Sequence, residues 1–157
     1  MEIMRKRIRI AWTLTAAMIF NLVLSLYIYI QENVSSLSND VCFAGGINVG
    51  SCAQVKSSVY GSFFGIPVSV FGMIAFLFMA IAMGSFAISL KHGKPIPHIE
   101  HDSYLDLLHI AFVLGAFFAL AFILLQITVI GAICRYCMFT DFIMIVSTIL
   151  FIVSFKR

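Results

Sequence analysis

The sequence predicts an all-α integral membrane protein: a four-transmembrane-helix bundle with a short amphipathic helix in its first extracytoplasmic loop. Three observations lead there, namely the weight of apolar residues, their grouping into four long runs, and an uneven spread of basic residues. Hydrophobic residues fill 62% of the 157 positions and charged residues 11%, with a mean hydropathy of +1.06. That composition excludes an ordinary soluble domain. A helix needs about 20 apolar residues to cross a bilayer. Four stretches qualify: Ile8–Ile30, Ile66–Leu90, Tyr104–Ile130 and Met138–Phe155. No linker rich in Pro, Gly or Ser divides them and no internal repeat is visible, so residues 1–157 read as one membrane domain with a loop at 31–65.

The first run follows Arg5, Lys6, Arg7 and Arg9, which resemble the start of a secretory signal. The apolar segment after them is longer than the roughly 7–15 residues of such signals, and no small-residue cleavage site precedes Gln31. It reads as a retained anchor. Orientation follows from the rule that Lys and Arg of short loops stay on the cytoplasmic side. With both termini cytoplasmic, Arg5, Lys6, Arg7, Arg9, Lys91, Lys94, Lys156 and Arg157 lie inside, and only Lys56 and Arg135 lie outside. The predicted location is the cell inner or plasma membrane, with residues 31–65 and the start of the fourth run facing out. Topology also accounts for the net charge of +3, so no nucleic-acid partner is implied.

The outer loop has internal signals. Residues 44–50, with Gly45, Gly46 and Gly50, read as flexible chain. Ser51 and Gln54 then match a capping box. Val55 and Val59 share a helical face with Cys52, and Gly61 is placed as a stop. A short amphipathic helix over about Cys52–Tyr60 follows, lying on the membrane surface.

All four cysteines fall on this outer side: Cys42 and Cys52 in the loop, and Cys134-Arg135-Tyr136-Cys137 at the mouth of the fourth span. Disulfides persist in extracytoplasmic compartments. The nine residues between Cys42 and Cys52 permit a disulfide without proving one. In a CxxC within a first helical turn, the positive end of the helix dipole favours the first thiolate. Cys134 is therefore expected to be the exposed attacking group and Cys137 to lie a turn deeper, with Gly131 letting the chain turn. Thiol–disulfide exchange is the favoured chemistry. A zinc site of four thiolates stays open, although His92, His98, His101 and His109 all map to the inner side.

The order of motifs resembles the vitamin K epoxide reductase family, specifically its bacterial and archaeal homologues. The residues that carry it are Cys42, then Cys52-Ala-Gln-Val-Lys-Ser-Ser58, then Phe64-Gly65-Ile66-Pro67 with Phe71-Gly72, then CRYC opening a last helix, over about Arg7 to Phe155. The resemblance implies a four-helix quinone reductase that oxidises a thioredoxin-like partner and so supports disulfide bond formation. It implies Cys42 and Cys52 as the shuttle pair, Cys134 and Cys137 as the pair beside the quinone, and Ser58 as a serine close to them. Many bacterial homologues carry a fused thioredoxin-like domain, which is not seen here, so a separate partner protein is expected. Vertebrate members hold their quinone with an Asn and a Tyr where Val68 and Asp141 stand here. Menaquinone or ubiquinone is therefore expected in place of vitamin K epoxide.

Asp141 follows Cys134 and Cys137 at i+7 and i+4, on one helix face. A carboxylate near the middle of a span costs about 2.5–3.5 kcal/mol on insertion scales, and usually faces the interior. It is expected either to bond or protonate the quinone, or to sit hydrated near the interface. Tyr60, Phe71 and Phe76 are candidate walls of a quinone pocket. Gln126 and Asn21 read as interhelical hydrogen bonds. The class that competes with an enzyme is a non-enzymatic four-span protein with structural disulfides or a thiolate metal site.

Overall fold

The computed structural model describes residues 2–34, 61–63, 65–92, 101–130 and 134–155. The predicted loop helix, Cys42, Cys52, Ser58, Tyr60 and Gly131 lie outside the described residues.

Each apolar run folds as a helix because a bilayer leaves backbone N–H and C=O groups no partners except those of their own segment. Helix α1 spans Glu2–Val34, α2 Val68–His92, α3 His101–Leu125 and α4 Arg135–Ser154. Segments within these four are long and apolar enough to cross a membrane. The boundaries differ from expectation for physical reasons. Hydropathy marks the part that fits the hydrocarbon, whereas the helical ladder of α1 continues past it at both ends. Before α2, Ile66 and Pro67 are taken by a two-residue strand β2, antiparallel to β1 at Ser62–Phe63. Gly65 turns this hairpin at φ +79°, with open space around it, so the backbone angle rather than crowding calls for glycine. The Val68 N–H closes the unit on the Gly61 carbonyl at 3.1 Å. The third span ends its regular helix at Leu125 and runs on as a π-turn, Gln126–Ile130.

Around the bundle, α1 packs against both α2 and α4, and α4 packs against α3. The ring closes more lightly between α2 and α3, where the Tyr104 hydroxyl donates to the Ala82 carbonyl at 2.8 Å. Buried polar side chains tie helices across the apolar interior. Thr148 Oγ1 lies 3.0 Å from the Phe112 carbonyl, and Asn21 Nδ2 donates to the Thr140 carbonyl at 3.3 Å. The end of the bundle away from the CxxC is filled with rings. Phe112 and Phe151 stack at 4.6 Å, Phe155 sits 5.3 Å from Phe86, and His109 lies 4.8 Å from Phe151. Phe78, Phe117 and Val153 instead stay exposed on the outer face, as lipid-facing residues would.

Candidate functional site

The fourth helix begins on Cys134, which adopts an extended backbone (φ −85°, ψ 111°) as N-cap. Its sulfur takes the usual place of a capping oxygen: Cys134 Sγ accepts from the Cys137 N–H at 3.5 Å. The same geometry brings the two sulfur atoms to 2.7 Å. A disulfide bond is about 2.05 Å long, so the two sulfurs stand within reach of one another.

The expected order of exposure is reversed. Cys134 is 3% exposed, and Cys137 is the half-buried thiol. An N-cap side chain folds back over the first turn, and so Cys134 is held under cover. Two further contacts fix this corner. The Cys134 N–H donates to Gln126 Oε1 at 3.0 Å, and Tyr136 packs edge-on against Tyr27 of α1 at 5.6 Å. Gln126 is itself buried. A buried N–H without an acceptor costs about 1–3 kcal/mol, so this bond stabilises the start of α4. Sequence reasoning assigned Gln126 to interhelical bonding and gave Tyr27 no role. The only signals were a lone amide in an apolar span and two tyrosines near one membrane surface.

One turn below, Asp141 is half-buried, and its Oδ2 is buried with no hydrogen-bond partner among the described residues. Asn21 is fully buried beside the preceding residue, Thr140, and its Oδ1 likewise lacks a partner. Two unsatisfied acceptors on facing helices are unusual, because most buried polar atoms are paired. Phe71 and Phe76 stand on α2, near the same end of the bundle. Phe76 packs against the core, while Phe71 is 44% exposed.

The sequence profile of the Vitamin K epoxide reductase family matches residues 12–155, nearly the whole chain. The chain belongs to the vitamin K epoxide reductase family. No match was found among curated proteins or solved structures. Membership makes the protein an integral membrane oxidoreductase of a quinone-linked family. It also agrees with the resemblance carried by the cysteine order and the FGIP and CRYC motifs.

Proposed function

We propose that this protein is a quinone-dependent, disulfide-generating oxidoreductase. It carries electrons from a thioredoxin-like partner through Cys42 and Cys52 to Cys134 and Cys137, and from there to a quinone. The observation that supports this most strongly is the thiol pair at the N-cap of α4, with sulfurs 2.7 Å apart, in a chain of this family. The bias of basic residues supports cytoplasmic termini with cysteines on the opposite side.

The steps balance as thiolate displacements. The partner dithiol attacks the Cys42–Cys52 disulfide, leaves oxidised, and yields two loop thiols. Cys52 then attacks Cys134 and releases the Cys137 thiolate. Cys42 resolves the Cys52–Cys134 bond, which re-forms the loop disulfide and leaves Cys134 and Cys137 as the reduced pair. This pair gives two electrons and two protons to quinone, closes its own disulfide and leaves quinol. Because Cys134 is buried, this order requires Cys52 to be brought against the start of α4 before exchange. Asp141 is assigned to the quinone oxygens, as acceptor from the quinol or, when protonated, as donor to the quinone. Ser58, Tyr60, Phe71 and Phe76 complete the proposed pocket. Val68 and Asp141, in place of Asn and Tyr, support menaquinone or ubiquinone as substrate.

The test is quinone reduction by purified protein in detergent, with a reduced thioredoxin-like donor. Turnover is expected to vanish in Cys137→Ala with every donor. In Cys42→Ala it is expected to vanish with the protein donor but to return with a small dithiol. No reduction by any donor, with unreactive cysteines, would leave the non-enzymatic reading.

A further inference from the structure

Gln126 stands at the junction between the regular helix α3 and the π-turn, eight residues before the N-cap of the helix it serves. A π-turn winds more residues per turn than an α-helix and so shifts the side chains that follow, and such turns are frequent at functional sites. The Gln126 carboxamide is buried in an apolar span, where an amide is tolerated only if it is bonded. Its oxygen accepts from the peptide N–H of Cys134, the residue whose backbone angles aim a reactive sulfur.

We infer that Gln126 is a positioning residue for the redox pair: by accepting the Cys134 N–H it holds the Cys134 peptide plane so that its sulfur stays against both the Cys137 N–H and the Cys137 sulfur. The inference rests on the redox role proposed above for Cys134 and Cys137. Without the acceptor, the peptide of Cys134 can rotate and the two sulfurs spend less time within bonding reach. The effective concentration of one thiol at the other then falls. The disulfide forms less favourably, and the pair becomes a stronger oxidant. A role confined to packing would change stability and leave this equilibrium alone.

The experiment measures the Cys134–Cys137 dithiol–disulfide equilibrium against dithiothreitol in the full chain carrying Cys42→Ser and Cys52→Ser. Gln126→Met keeps the volume and removes the oxygen acceptor. It is expected to lower the disulfide formation constant about tenfold, or about 30 mV for this two-electron couple. Gln126→Glu keeps an oxygen at the same reach and is expected to stay within about threefold of wild type. Thr128→Val alters the same π-turn away from the bond and is expected to match wild type. As a check that needs no variant, the Cys134 amide of the wild-type chain is expected to exchange slowly with deuterium. An unchanged constant in Gln126→Met overturns the inference. So does an equal loss in Gln126→Glu or Thr128→Val, or fast exchange at Cys134. Failure of the wild-type pair to close a disulfide with any reference dithiol would instead remove the redox reading on which the inference stands.

Discussion

At the scale of single residues, the site is a set of polar groups placed where an apolar solvent makes each one matter. Cys134 and Cys137 sit at the open end of a helix, where the N–H groups of the first turn have no intrahelical acceptors. Sulfur takes one and the Gln126 amide takes another. Asp141 is the counterexample, since it buries an oxygen that nothing among the described residues satisfies. A group of that kind weakens the fold by about 1–3 kcal/mol, and it persists where function needs it. Asp141→Leu is therefore expected to leave thermal stability in detergent unchanged or raised, while quinone reduction falls about tenfold or more. Asp141→Asn, which keeps hydrogen-bonding capacity, should retain more of the activity. Loss of stability with full activity in Asp141→Leu would show a structural carboxylate instead. That the two cysteines open α4 and that Asp141 lies one turn further on was legible in the sequence, because their spacing fixes it. The cover over Cys134 was not, because it depends on how an N-cap side chain folds back and on a glutamine brought in by a π-turn.

Among the elements, α1 is the helix that holds the others in place, touching α2 along one side and α4 along another. Its ring contacts Phe20–Phe139 and Tyr27–Tyr136 anchor α4 just where the CxxC turn begins. Helix α3 meets α4 closely at Gly115, where a Cβ would run into the Met144 side chain. Without water to drive association, membrane helices gain from such close contact between small and large residues. Alanine would ask only a flexible methionine to move, but a branched chain would push the helices apart. Gly115→Ile is expected to cost about 1–3 kcal/mol, the usual range for an overpacked core, and to lower the thermal midpoint in detergent. An unchanged midpoint would contradict the packing described. Hydropathy located all four helices within a few residues at most ends. The apolar run alone began at Met138, three residues inside α4, because Arg135 and Tyr136 lower the hydropathy of its first turn, but the CRYC motif marked the helix start. Hydropathy missed the β1–β2 hairpin because two-residue strands carry no period to read.

Taken whole, the molecule divides its labour along the membrane normal. One end is filled with stacked and edge-on rings around Phe86, Phe112, Phe151 and Phe155. The other end brings the Cys134–Cys137 pair, Gln126, Asn21 and Asp141 within about two turns of one another along α4 and the helices beside it. An aromatic half of this kind can keep four helices registered while the proposed exchange of disulfides runs at the opposite half. The central claim is that this pair passes its two electrons to quinone. The most direct measurement is a single turnover: fully reduced protein is mixed in detergent with excess menaquinone or ubiquinone, quinol is followed by absorbance, and the 134–137 peptide is followed by mass spectrometry. The account predicts one quinol for each Cys134–Cys137 disulfide formed, at matching rates, and none in Cys137→Ala. Quinol without the disulfide, or a reduced pair left untouched by quinone, would contradict it.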